Sequence, residues 1–196
     1  MMTVLRVALL FGVSAAAGAG WMRWRHPDLP WIEDAAKVSE QLSAVEQLKQ
    51  ELSISVDELR ELIEQGAAVL DAREPGDFED AHLDIEQMGS PLGIPVLNVP
   101  PSAVEDNIAR LEELKGFADT FVLYCNSQTC TLSAELAYEL LQVGFFKDQL
   151  RLYEPGWVGI EQHKLPVASG PDDWAGLAGG EIGDQMGASA DPGEEP

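Results

Sequence analysis

The chain has little positive charge and few cysteines. Its 196 residues contain 12 lysines and arginines against 34 aspartates and glutamates, which gives a net charge of −22. This balance argues against nucleic acid, and against an anionic membrane surface as a partner of the soluble part. Two cysteines are too few for a disulfide framework in a chain of this length or for a four-cysteine zinc site. His82 and His163 stand alone, so we predict no metal and no cofactor.

Long apolar runs are absent apart from one at the N-terminus, from Val7 to Met22. It fits either a membrane anchor or the apolar region of a signal peptide. A possible cleavage site at Ala17–Ala19 favours the signal peptide, whereas Trp21 and Trp24 resemble an interfacial belt and favour an uncleaved anchor. We favour an anchor over residues 1–25. The positive charges on the two sides of the apolar run are balanced, so charge does not decide its orientation. An anchor of the signal type and a signal peptide would both place the domain outside the cytoplasm, on the periplasmic side, and this is the orientation we predict.

The segments that flank the central part of the chain have distinct compositions. Residues 26–52 combine a Pro-rich spacer with a predicted amphipathic helix, whose apolar positions are Val38, Leu42, Val45, Leu48 and Leu52. From Gly170 the chain is rich in Gly, Asp and Pro, which predicts a disordered acidic tail over residues 170–196. A folded domain is predicted between them, over residues 53–169.

Short apolar strands alternate with helices in this domain. Strands are predicted over residues 67–72, 94–99, 121–124 and 149–153. Ser55 and Glu58 form a capping-box pattern that starts one helix, and another is predicted over residues 102–114. This alternation predicts an α/β fold with a parallel sheet covered on both faces.

Cys125 directly follows the predicted strand at 121–124 and precedes a polar loop and a helix. Thr131 or Ser133 is expected to cap that helix. A thiol near backbone N–H groups and the positive end of a helix dipole has a lowered pKa, which favours the reactive thiolate. The alternative is that Cys125 is a small buried side chain at a strand end. The surrounding pattern favours the reactive thiol.

Taken in order, the residues from about 54 to 167 resemble the rhodanese family. The resemblance rests on ISVDELRELIEQGAAVLDAR, on Ala81-His82-Leu83, on the LYC at 123–125 and on LYEPGWVGIEQHKLPV. It implies a three-layer α/β sandwich with a five-stranded, mostly parallel sheet. It also implies sulfurtransferase chemistry, in which Cys125 takes a sulfane sulfur from a donor, holds it as a persulfide and passes it to a thiol or other nucleophilic acceptor.

The loop after Cys125 departs from the family pattern C-x-x-G-x-R/A, because it has neither the glycine nor the arginine and is about two residues longer. Without that cation, thiosulfate is in doubt as the donor, and a phosphatase of the same fold is set aside. Backbone N–H groups and side chains of the loop are still expected to stabilise a persulfide. The loop residues are Asn126, Ser127, Gln128, Thr129, Cys130 and Thr131.

Cys130 has two interpretations. It is a candidate resolving thiol, which would attack an oxidised Cys125 and form a disulfide, or it only packs against the start of the helix. Asp71 and Arg73 are interpreted as structural ion-pair residues rather than catalytic ones. The expected partner of Arg73 is one of three carboxylates that follow it in the sequence: Asp77, Glu79 and Asp80.

Three functions are compatible with these patterns. The favoured one is a membrane-anchored sulfurtransferase. The second is a catalytically silent docking module at the membrane, and the third is a thiol–disulfide redox protein that uses Cys125 and Cys130. The presence of a cysteine at the strand end favours the first over the second.

Overall fold

A computed structural model describes residues 35–172 of the chain. Its helices are α1 (Ala35–Leu52), α2 (Val56–Glu64), α3 (Pro75–Asp80), α4 (Ile108–Leu114), α5 (Leu132–Gln142) and α6 (Gly156–Gln162). Its strands are β1 (Ala68–Asp71), β2 (His82–Leu83), β3 (Leu97–Asn98), β4 (Phe121–Tyr124), β5 (Leu150–Tyr153) and β6 (Val167–Ala168). Helices and strands alternate as the sequence predicts, so the α/β class is confirmed.

The central sheet has four parallel strands in the order β3-β1-β4-β5. The expectation of five strands is therefore wrong for the described residues. A fifth position beside β5 is reduced to one isolated bridge between Ser53 and Leu152, while β2 and β6 form a separate antiparallel pair. The predicted strand over 94–99 is shortened to β3, because Pro95 has no N–H with which to join a ladder.

Strand β4 lies inside the sheet, and its side chains alternate between two apolar clusters. Phe121 and Leu123 pack in the cluster that also holds α5, whereas Val122 and Tyr124 pack in the cluster that holds α2 and α6. All four side chains are buried. A strand that is buried on both faces needs a continuous apolar sequence, which explains its pattern. Cys125 follows directly and belongs to the first cluster.

The amphipathic helix predicted before the domain corresponds to α1. The chain divides into two units, 1–43 and 44–196, and α1 crosses the boundary. In the second unit Val45, Leu48 and Leu52 are buried in the core, whereas Val38 and Leu42 in the first unit are exposed. Helix α2 begins with the predicted capping box, in which Ser55 and Glu58 bond each other's backbone N–H groups.

The C-terminal end of the described chain is held against the domain. The N–H of Gly170 donates to the Glu79 carbonyl at 2.9 Å, and Asp172 accepts from the Asn98 N–H and the Arg110 guanidinium. The ordered domain therefore extends at least to Asp172, beyond the predicted start of the acidic tail at residue 170. The anchor over residues 1–25 and the remainder of the tail lie outside the described residues. Within residues 35–172, no helix has the length and apolar character to cross a membrane.

Candidate active site

Cys125 lies at the carboxyl end of β4, where the chain leaves the sheet. Its carbonyl accepts a hydrogen bond from the Trp157 N–H at 2.7 Å, and the Asn126 carbonyl accepts one from Val158 at 3.0 Å. Two backbone hydrogen bonds from the first turn of α6 thus hold the start of the loop. A Cβ atom on Gly156 would lie 2.3 Å from the Cys125 oxygen, so this close approach requires glycine.

The Cys125 thiol is enclosed in the resting structure, with only 1% of the residue exposed. Burial, followed by a hydrogen bond to the Cys130 side chain, raises the pKa of Cys125 to about 11. The Ser133 hydroxyl, 3.5 Å from Cys125 Sγ, acts in the opposite direction but does not offset burial. The pKa is therefore raised and not lowered as expected, because desolvation of the thiolate outweighs the hydrogen bonds from Ser133.

The loop that follows Cys125 contains its own turn. The Cys130 N–H donates to the Ser127 carbonyl at 2.9 Å, and the Ser127 and Thr129 hydroxyls lie 3.2 Å apart. Cys130 is half-buried. Asn126, Gln128, Thr129 and Thr131 are exposed. The remaining loop N–H groups donate no backbone hydrogen bond to any residue between 35 and 172.

The start of α5 differs in detail from the expected capping. Thr131 occupies the cap position, but its hydroxyl bonds the Glu135 carboxylate at 2.5 Å instead of a backbone N–H. Ser133 lies inside the helix, where it is buried and bonds the Cys125 thiol. Ser133 is therefore part of the site, a role that its position near a helix start concealed in the sequence.

Helix α1 supplies a cation to this loop. The Lys49 ammonium donates a hydrogen bond to the Gln128 carbonyl at 2.5 Å, although the two residues are 79 positions apart. No sequence pattern pointed to Lys49, because its contact depends on how α1 packs. The loop has no arginine of its own, so this lysine is a positive group placed beside it.

A buried ion pair supports the site from the other face of the sheet. Arg73 bonds both carboxylate oxygens of Asp71, Oδ2 at 2.6 Å and Oδ1 at 3.0 Å, and donates to the Ala81 carbonyl at 2.7 Å. Its partner is Asp71, at the end of β1, and not one of the three surface carboxylates expected from the sequence. The guanidinium also stacks on Trp157, at 4.4 Å from the ring centre. The backbone N–H of Trp157 donates to the Cys125 carbonyl. Trp157 therefore links the buried ion pair to the loop.

Tyr124 and His82 complete this supporting layer. The Tyr124 hydroxyl accepts a hydrogen bond from the Leu83 N–H at 3.3 Å. Burial, together with the nearby Asp71 carboxylate, raises the pKa of Tyr124 well above its ordinary value, so it stays neutral. His82 is buried, stacks on Phe78 and bonds the Phe78 carbonyl through Nδ1 at 3.0 Å. These contacts make His82 a core residue.

The site is closed towards solvent at the sulfur atom. A cavity of about 470 Å³ lies between β2 and the loop over residues 84–96, but Cys125 is not among the residues that line it. Access to the thiol therefore requires the loop over residues 126–131 to move. Four of these six residues are exposed, and few hydrogen bonds hold the loop, so such an opening costs little compared with opening the core.

Comparison with known protein families identifies the family of this fold. The family model of the rhodanese-like domain matches residues 55–163, whereas no curated protein matches the chain. Among solved structures, a protein from Lactobacillus plantarum is 18% identical, with a TM-score of 0.47 over 68% of this chain and 98% of that one. A thiosulfate sulfurtransferase from Pseudomonas aeruginosa is 19% identical, with a TM-score of 0.47 over 67% of this chain and 22% of its own.

A third solved structure is an As-Sb reductase from Leishmania major, which is 18% identical, with a TM-score of 0.41 over 58% of this chain and 80% of that one. The family match covers more than half of the 196 residues and includes both the β4–loop–α5 segment and the Asp71–Arg73 pair. The chain belongs to the rhodanese-like domain family.

Proposed function

We propose that the protein is a sulfurtransferase that carries a sulfane sulfur as a persulfide on Cys125. The observation that carries the proposal is the position of this cysteine, at the end of an inner parallel strand and directly before a loop and the start of α5. Backbone N–H groups of the loop and the first turn of α5 would stabilise the negative charge of a persulfide. Family membership supports the same chemistry.

The reaction has two displacement steps. The Cys125 thiolate attacks the sulfane sulfur of the donor, a new S–S bond forms, and the rest of the donor leaves with the electron pair of the broken bond. An acceptor nucleophile, such as a thiol, then attacks the outer sulfur, and Cys125 leaves as the thiolate. No electron donor is consumed, because the sulfur is transferred at constant oxidation state.

The residues of the loop limit which sulfur donors suit the site. Thiosulfate is a dianion, and a loop without arginine offers it no bidentate cation. The Lys49 ammonium is a single point charge that is already bonded to the Gln128 carbonyl. A low-molecular-weight persulfide, whose terminal S–SH group carries at most one negative charge, suits this site better. The apolar wall around Sγ also favours a donor with little charge at the transferred sulfur.

We further propose that the N-terminal segment tethers the protein to a membrane, with the domain on the outer, periplasmic side. This proposal rests on the apolar run from Val7 to Met22 and its flanking tryptophans. Fusion of a reporter that is active only outside the cytoplasm to the C-terminus tests the orientation. Absence of reporter signal, together with full recovery of the protein in the soluble fraction, would reject the tether.

Loading of sulfur onto Cys125 is the direct test of the activity. When reduced Cys130→Ser, in which Cys125 is the remaining thiol, is incubated with a low-molecular-weight persulfide or with thiosulfate, we expect its mass to increase by one sulfur atom, faster with the persulfide. Cys125→Ser should gain none, because it lacks the nucleophile. Intact mass spectrometry measures both. Equal gain by Cys130→Ser and Cys125→Ser would contradict the assignment.

The raised pKa of Cys125 predicts a pH dependence. The thiolate is the reactive form, and below a pKa of about 11 its fraction grows as pH rises. The rate of iodoacetamide alkylation of Cys125 in Cys130→Ser should therefore increase about tenfold per pH unit, without levelling near the ordinary cysteine pKa of about 8.5. The same chain in denaturant is the control and should level there. A plateau below about pH 8 in the folded chain would show that the thiol is not desolvated.

The enclosure of Cys125 favours a second candidate function. A thiol that is 1% exposed and largely protonated at neutral pH suits a silent docking module, in which the cysteine only packs. If neither donor adds sulfur to Cys130→Ser at any pH, the docking module is the better description. Sulfur loading that depends on Cys125 selects the transferase.

A further inference from the structure

Cys130 lies close to the Cys125 sulfur. The loop turns back on itself through the hydrogen bond from the Cys130 N–H to the Ser127 carbonyl, 2.9 Å. The same carbonyl lies 4.0 Å from Cys125 Sγ, and the Cys130 side chain packs against the core cluster that contains Cys125. The two cysteines are unpaired in the structure, so both are available to react.

The two thiols differ in access. Cys125 is buried among the residues of the first core cluster, and its Sγ lies 3.5 Å from the Ser133 hydroxyl. Cys130 is only half-buried and stands on the loop, four of whose six residues are exposed. An acceptor from solution must pass this loop to reach the buried sulfur, whereas Cys130 is already part of it.

We propose that Cys130 resolves the Cys125 persulfide, forming a Cys125–Cys130 disulfide and releasing the outer sulfur as sulfide. The proposal rests on the sulfur-loading function of Cys125 and names its first reaction partner. The chain would thus have a further activity, the reductive release of sulfide from a sulfane sulfur, and its site would be closed to outward transfer until the disulfide is reduced.

The step balances in atoms and electrons. The Cys130 thiol gives its proton to solvent, and the thiolate attacks Sγ of Cys125. The new S–S bond joins the two cysteines, and the electron pair of the old S–S bond leaves with the outer sulfur as HS⁻. The outer sulfur is reduced and the two cysteines are oxidised. An external dithiol must reduce the disulfide before the next cycle.

Proximity explains why attack by Cys130 would be faster than transfer of the sulfur to an acceptor in solution. A nucleophile held in contact with its target has a high effective concentration. An outside thiol must first open the loop and reach a buried sulfur. Release of sulfide is then the default outcome, and outward transfer of sulfur requires an acceptor that enters before the loop closes on the persulfide.

The test uses the reduced full chain without added reductant and under exclusion of air, incubated with thiosulfate and separately with inorganic polysulfide. Intact mass is followed for the wild type, Cys130→Ser and Cys125→Ser, and sulfide is measured in the thiosulfate arm, where the donor itself yields none. We expect the wild type to lose two hydrogens and to release one sulfide per chain that reacts. Cys130→Ser should instead keep one added sulfur atom, and Cys125→Ser should show neither change.

The outcomes separate the inference from the proposed function. If the wild type retains the added sulfur for as long as Cys130→Ser does, the resolving role of Cys130 is overturned. The sulfurtransferase function proposed for Cys125 would still stand. Sulfur gained by Cys125→Ser would also overturn it, because the sulfur would then arrive at Cys130 first. No sulfur on Cys130→Ser with either donor would overturn the proposed function, and the inference with it. Sulfur on Cys130→Ser also reports a folded site, so a misfolded variant is not mistaken for a negative result.

Discussion

Gly156→Ala is expected to destabilise the domain by about 2–5 kcal/mol, because left-handed backbone strain adds to overpacking. Gly156 has a φ of +59°, which an alanine rarely adopts. Its new Cβ would lie 2.3 Å from the Cys125 oxygen and 2.9 Å from the Ser127 nitrogen. Both are backbone atoms and cannot turn aside, so the loop that carries the nucleophile must move.

The measurement is urea unfolding of the full chain, together with sulfur loading of Cys125 by mass spectrometry. Gly76→Ala is the matched control, because a Cβ at Gly76 meets no atom within 4 Å and the residue lies in α3 with an ordinary backbone. We expect that control to change the free energy of unfolding by less than about 1 kcal/mol. If Gly156→Ala behaves like Gly76→Ala in both assays, the tight contact between α6 and the loop is needed neither for stability nor for sulfur loading.

Arg73→Leu is expected to cost about 3–5 kcal/mol, because it leaves the Asp71 carboxylate as an uncompensated buried charge. The side chains of Asp71 and Arg73 are 0% and 3% exposed. The substitution also removes the donor to the Ala81 carbonyl and the cation that stacks on Trp157. Since the Trp157 N–H holds the Cys125 carbonyl, we expect slower sulfur loading as well as lower stability.

Arg60→Leu provides the comparison for this pair. Arg60 and Asp57 form an exposed ion pair at 3.4 Å, with side chains 44% and 90% accessible, and its loss should cost less than about 1 kcal/mol. The double variant Asp71→Leu with Arg73→Leu should recover part of the loss, because neither charge is then left alone. Chemical denaturation measures all three. Equal destabilisation by Arg73→Leu and Arg60→Leu would show that the buried ion pair contributes no more to the free energy of unfolding than the exposed pair does.

Local sequence rules account for the elements of the site. Because apolar runs of strand length are separated by capped helices, the order of strands and helices and the position of Cys125 at a strand end follow from neighbours in the chain. The capping box at Ser55 and Glu58 was predictable for the same reason. The sheet was expected to have five strands, but Ser53 pairs through a single bridge, and the extent of strand pairing depends on partners far away in the sequence.

Contacts across the fold account for what the sequence did not show. The thiol pKa was expected to fall, since the helix start next to Cys125 is visible in the sequence, but the residues that bury Cys125 are not. Arg73 was expected to bond a nearby surface carboxylate, but the guanidinium turns inward to Asp71 and Trp157. Lys49 had no predicted role, because its contact with Gln128 spans 79 positions.

The sequence by itself thus determined the α/β class, the position of Cys125 at a strand end and the loop without arginine, because periodicity, capping and residue type are properties of adjacent residues. Only the tertiary structure decided how the site is built around that cysteine. Packing encloses the thiol and raises its pKa, seats Gly156 against the loop and joins the Cys130 N–H to the Ser127 carbonyl. Desolvation and contact depend on distances that no local pattern contains, which is why these features emerged only from the folded chain.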